Sequence, residues 1–193
     1  MALWGITDAD EAKPKWLTTA QKKEVFANNS GWVVEAGSTQ TGNDNTDAQP
    51  EVLCCVGDLA TGIGAADITE IEFITTAFDK SDGGNIDVRV RFNEAVTVDT
   101  SGGTPTLTIT NDTPSRNLTA TYLSGSTTNE LIFRKTIAAA NAATNAGDVL
   151  SIGANPLALA SGTIKDTADG TTNATITSVA SIGAAAGTIT VAA

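Results

Sequence analysis

The chain has no histidine, and its 193 residues include only one methionine, one tyrosine and two cysteines. Without imidazole the commonest general base is missing, and with it every Ser-His triad and every His-based zinc site. Basic residues are scarce as well: eleven Lys and Arg stand against twenty-two Asp and Glu, a formal net charge of −11. They are scattered along the sequence, whereas a phosphate backbone demands a clustered cationic surface, so no nucleic acid is expected as a partner. No run approaches the roughly 20 apolar residues of a membrane span, and no membrane is expected either. The opening Met1-Ala2-Leu3-Trp4-Gly5-Ile6-Thr7-Asp8 lacks the basic and apolar regions of a secretion signal, which predicts a product kept in the cytoplasm until assembly or lysis. Cys54 and Cys55 are adjacent in an apolar run, where strand side chains point to opposite faces and cannot bridge, so two buried thiols are expected. Asn-x-Ser/Thr sites at Asn28, Asn111, Asn117 and Asn173 are chance matches in a chain so rich in Thr and Asn.

What is present is a run of short strands in the second half. Ile86 to Phe92, Thr106 to Thr110, Leu118 to Leu123 and Glu130 to Lys135 alternate apolar with charged or Thr positions and are separated by Gly, Asn and Asp clusters. That alternation is what a half-buried antiparallel strand requires. Further strands are predicted at Ile68 to Phe78, Val96 to Val98, Val149 to Ile152 and Ala174 to Ile182, with Ala138 to Ala143 as a connection capping one end. The composition changes near Gly57 to Ala66, a stretch of small residues that predicts a linker and hinge between two units, residues 1–66 and 67–193. Gly62-Ile63-Gly64-Ala65-Ala66-Asp67 starts like a dinucleotide fingerprint but ends in Asp with no helix after it, so it predicts no phosphate binding.

The first unit holds all three tryptophans, Trp4, Trp16 and Trp32. An acidic stretch, Asp8 to Glu11, and Lys13-Pro14-Lys15-Trp16-Leu17 predict an extended arm. Thr18 is placed to cap a helix running through Phe26, ended by Asn28-Asn29-Ser30-Gly31. Strands are expected at Gly31 to Glu35 and Glu51 to Val56, joined by a polar loop. One helix and two strands give too little core to stand alone, so this unit is expected to pack on a neighbour.

Seven to eight strands at 8 to 12 residue spacing is an immunoglobulin-like count. Arg91-Phe92-Asn93-Glu94-Ala95-Val96-Thr97-Val98, Gly103 to Ile109, Ala120 to Ser126, Leu131-Ile132-Phe133 and Gly162 to Asp166 together resemble the bacterial Ig-like repeat of surface adhesins and phage virion proteins. Met1 to Gly5, Pro14 to Thr18 and Gly31 to Val34 resemble the start of small structural proteins of tailed cyanophages. The fold expected is therefore mainly β: an Ig-like β-sandwich preceded by a small α+β N-terminal unit. The resemblance implies a non-enzymatic virion structural protein, assembled in the host cytoplasm, that decorates a capsid. Its partner would be the major capsid protein or another virion protein, and a homo-oligomer is expected. A tail or fibre component stays open, as does a carbohydrate-binding or adhesive module.

No cofactor and no metal site are predicted. Asp79-Lys80-Ser81-Asp82 and Asp166-Thr167-Ala168-Asp169 are explained by turn chemistry, though either loop leaves a calcium site open. Trp32 is expected in a core, and Lys22 and Lys23 on a solvated helix face. Leu3, Trp4, Trp16 and Leu17 lie in segments without a regular pattern, where large apolar groups serve as anchors in a neighbouring subunit, and these four are the predicted interface.

Overall fold

The computed structural model describes residues 13–193. The chain is mainly β, with strands β1 (Val25–Asn28), β2 (Gly31–Val34), β3 (Glu51–Cys55), β4 (Ile68–Phe73), β5 (Phe78–Asp79), β6 (Gly84–Asp99), β7 (Thr106–Asn111), β8 (Leu118–Ser124), β9 (Thr128–Ile137), β10 (Val149–Ser151), β11 (Leu157–Ala158), β12 (Thr163–Asp166) and β13 (Ile189–Ala192). Among the described residues three short α-helices interrupt them, α1 (Thr19–Lys23), α2 (Leu59–Gly62) and α3 (Ala180–Ala184), with a 3-10 turn at Pro114–Arg116. The strands form one large mixed sheet, mostly antiparallel, with parallel pairings of β1 to β6 and β5 to β13.

Thr18 caps α1 as expected. Its hydroxyl accepts from the Gln21 amide while Gln21 Oε1 accepts from the Thr18 amide, a reciprocal box that satisfies two otherwise orphaned donors. The helix nevertheless stops at Lys23 instead of reaching Phe26. Val25 and Phe26 are β-branched and aromatic, and opposite Val34 and Val33 they form the β1–β2 hairpin and are buried there. The expected helix terminator, Asn28 to Gly31, is the turn of that hairpin, where Asn28 Oδ1 accepts from the Ser30 amide at 2.8 Å.

The stretch from Gly57 to Ala66 is not a linker. It folds into α2, whose Leu59 and Ala60 enter a core with Trp32, Val25, Ala27, Val34, Leu17 and Ile63. Three residues after Ile63, Ala66 belongs to the second and larger core. A segment of small residues thus carries apolar side chains into both cores and holds them together. The paired cysteines are not buried either. β3 is the outermost strand on its side of the sheet, which leaves Cys54 half-buried and Cys55 exposed, both as free thiols.

The larger core gathers Ile71, Ile86, Val88, Val90, Phe92, Leu107, Ile109, Leu131, Phe133, Leu150 and Ile164, the inward positions of the alternating strands. Tyr122 packs edge-on against Phe133, with ring centroids 6.1 Å apart. Instead of two strands at Ile86 to Phe92 and Val96 to Val98, one continuous strand, β6, runs for 16 residues. Its first half lies between β4 and β9; past a register shift between Arg91 and Val96 its second half pairs with β12. Such a shift lets a long strand bend without losing its ladder. The predicted strand at Ala174 to Ile182 is absent: isolated bridges at Asn173 and Thr175 are followed by α3. The strand that closes this end is β13, which antiparallel β10 receives on one side and parallel β5 on the other.

Candidate functional site

The outward face of β6 carries Asp87, Arg89 and Arg91 at two-residue spacing, the solvent side of a half-buried strand. β4 presents Glu72 opposite Arg89 and Glu70 opposite Arg91, while β9 presents Glu130 opposite Arg91 and Arg134 opposite Asp87. Arg134 grips Asp87 with two bonds of 2.7 and 2.6 Å. At Arg91 the alternation ends, because Arg91, Phe92, Asn93 and Glu94 are all buried. The cause is β1, which lies along this part of the strand with Ala27 aligned with Glu94.

Arg91 is 6% exposed and its guanidinium is shared by four carboxylates. Nε donates to Glu130 at 2.6 Å, Nη1 to Glu70 at 2.9 Å and to Glu72 at 3.4 Å. Glu35, which follows β2, accepts from Nε and Nη2 at 3.3 Å each, and from the Asn129 amide at 2.8 Å. Its position is fixed by its own backbone N–H, which donates to Glu24 at 2.8 Å. Lys23 of α1 reaches across to Glu70, so the chain before β4 contributes an anion, Glu35, and a cation, Lys23, to a network rooted in the sheet. Burial and the negative charge of Glu130 push the Glu35 carboxyl above the usual carboxylate range. Burial acts the same way on Glu70, but hydrogen bonds from Lys23 and Arg91 outweigh it and hold that carboxyl low.

Beside this network a cleft of about 560 Å³ opens between α1, β4 and α3. One wall is Lys13 and α1, with Thr19, Lys22 and Lys23; the other is Asp67, Thr69 and Glu70 at β4, Asn93 on β6, and Ser181, Ile182 and Ala185 at α3. Lys13 Nζ donates to the carbonyl of Lys22 at 2.7 Å, and burial lowers its pKa to about 8 despite the neighbouring Glu35 and Glu70. Lys22 and Lys23 are therefore not simply a solvated face: one lines the cleft and the other spans it to an ion pair.

Of the predicted interface residues, Trp16 is 65% exposed, the largest side chain presented to solvent among the described residues. Leu17 points the other way, packed in the smaller core at 9% exposure. Leu3 and Trp4 lie outside the described residues. Trp32 is fully buried in the smaller core. The Asp-rich loops show the turn chemistry expected of them. Asp79 Oδ1 accepts from the amide and hydroxyl of Ser81, and Asp169 takes bonds from the Thr172 hydroxyl and from the Thr172 and Thr171 amides, which bring its pKa down to about 2. Among the described residues no three Cys, Asp or Glu side chains are grouped to hold a metal ion, and no helix is long and apolar enough to cross a membrane.

Sequence reading missed Arg91, Glu35 and Asn93. Arg89 and Arg91 looked like ordinary outward positions. A cue was present, since Glu70 and Glu72 share the same period, but which strand would face which could not be read from spacing. Comparison with family models, with curated proteins and with solved structures finds no match for this chain.

Proposed function

We propose that the chain is a non-enzymatic virion structural protein that decorates a capsid, its strands from β4 onward forming an Ig-like β-sandwich displayed outward and its N-terminal unit attaching to the major capsid protein or another virion protein. The observation that carries this reading is Trp16. An indole two-thirds exposed on an otherwise acidic, Thr-rich protein is an unusual cost to solubility, and a large rigid aromatic is the residue type that anchors interfaces. It sits on the arm leading into α1, so a ring seated in a partner is tied to the sandwich through the Arg91 network. The larger of the two cores, lined by the alternating strands from β4 onward, supports the sandwich, and the sequence resemblance supports the virion setting.

The test is co-sedimentation with capsids lacking this protein. Trp16→Ala is expected to weaken particle binding by about 2 kcal/mol, roughly thirtyfold, which is the usual size for a truncated aromatic hot spot. The melting temperature of the soluble chain should stay within about a degree. Undiminished particle binding would remove Trp16 from the interface and with it the support for this reading.

A further inference from the structure

We propose that the cleft between α1, β4 and α3 is a docking groove for an extended, acidic segment of the partner chain; this rests on the attachment function proposed above and names the chemistry the attachment site recognises. Three ammonium groups, Lys13, Lys22 and Lys23, face two carboxylates, Asp67 and Glu70. Glu70 is already engaged by Lys23 and Arg91. Among the described residues neither Lys13 nor Lys22 has a carboxylate within ion-pairing distance, in a chain whose net charge is −11. Two cations on one wall of a cleft, without an ion-pair partner among the described residues, attract an anion, and part-burial strengthens that attraction relative to open water.

Asn93 supplies an independent sign. It is 4% exposed and lines the cleft, and its Oδ1 accepts from the Asp67 amide at 2.7 Å, which leaves the Nδ2 donors as the part of the side chain that can serve a ligand. Where water reaches such a donor, a ligand acceptor can take its place. A peptide carbonyl or a carboxylate oxygen does so. Thr19 and Ser181 offer hydroxyls from opposite walls, and Ile182 and Ala185 give the groove an apolar side for the partner's aliphatic side chains. Lys13, held by burial below the usual lysine range, gains its full charge back when a carboxylate arrives beside it.

The experiment uses the full chain and a fluorescein-labelled hexapeptide, Asp-Leu-Glu-Val-Asp-Leu, with its amide twin, Asn-Leu-Gln-Val-Asn-Leu, read by anisotropy at low and high salt. The carboxylate peptide should bind, should weaken as salt rises, and should exceed the twin by roughly tenfold. Lys22→Gln, which leaves every observed ion pair in place, should lower its affinity severalfold. So should Asn93→Asp, which keeps the acceptor for Asp67 and removes the Nδ2 donors. No peptide binding, equal binding of the twin, or unchanged affinity in both variants overturns the groove. The same variants are then sedimented with capsids beside Trp16→Ala. If Trp16→Ala is released while Lys22→Gln and Asn93→Asp bind peptide and particle normally, the groove fails and the attachment reading stands. If the peptide results hold but all three variants ride normally on particles, the groove stands as an acidic-peptide site and the attachment reading fails.

Discussion

At the scale of single residues, Arg91 decides more than any other side chain. Its guanidinium is buried, and three of its carboxylate partners, Glu35, Glu70 and Glu130, come from three different parts of the chain. Removing one member of a buried ionic group leaves the rest without counter-charge, so Arg91→Met should cost about 3 to 5 kcal/mol, measured by urea unfolding. Arg89→Met, at a position over a quarter exposed, should cost about 1 kcal/mol or less. Protons act on the same network with opposite signs. The Glu70 carboxyl is held low in the folded chain, so its contribution is present at neutral pH and is lost as pH falls through its folded value. The Glu35 carboxyl is held high, so its ionised form is a burden above its folded value, and that burden is relieved as pH falls toward 4.5. Lys13 titrates near 8 folded against 10.5 in the open chain. Between these values the unfolded chain binds more protons and stability climbs with pH. Urea midpoints taken from pH 7 to 10.5 should rise more in the wild type than in Lys13→Met; parallel curves would remove Lys13 from the buried set.

Among the elements, the β1–β2–β3 meander has the tightest constraint. Gly31 sits at φ +131° where β2 begins, and a Cβ there would stand 2.0 Å from the carbonyl oxygen of Cys54 on β3. Gly31→Ala should therefore destabilise by clearly more than about 1 kcal/mol and shift the urea midpoint without changing the slope. An unchanged midpoint would show that β3 moves freely away from β2. Elements of this kind also mark what the sequence made legible. Strict alternation located β7, β8 and β9, and the cap at Thr18 located the start of α1, because both are local rules. The end of α1 was misplaced because Val25 and Phe26 satisfy a helical pattern and a strand pattern alike, and only pairing with Val33 and Val34 chose between them. α2 was hidden by its glycines and alanines, which announce a linker while Leu59 and Ile63 fill a core. Lys22 and Lys23 were visible as a pair on a short helix. The cleft they face was not, since its far wall comes from Asn93 and from α3, about 70 and 160 residues further along.

For the molecule as a whole the question is whether two cores make one cooperative unit. Among the described residues the smaller holds eight buried apolar side chains and lies against the larger along β6, with Ile63 and Ala66 bridging them and the Arg91 network sealing the contact. Eight such side chains bury too little area to offset the conformational entropy of the fifty or so described residues before β4, which therefore depend on the sheet for their order. The dependence is unequal, because the larger core has a complete set of inward-facing strands of its own. Cutting the chain at Asp67 would expose Arg91 and Asn93 to water, and a solvated Arg–Glu row costs far less than a buried one left half-paired. The 67–193 fragment should therefore keep a β-type circular dichroism spectrum and unfold in one transition, at a lower temperature than the full chain. The full chain should also unfold in one transition, coincident by tryptophan fluorescence, which reports Trp32 in the smaller core, and by circular dichroism, which is dominated by the sheet. If fluorescence changes first, the Arg91 network does not couple the cores and the units fold independently. If instead the fragment is disordered, the residues before Asp67 are an integral part of the sheet, and the surface proposed for attachment is itself part of what keeps that sheet folded.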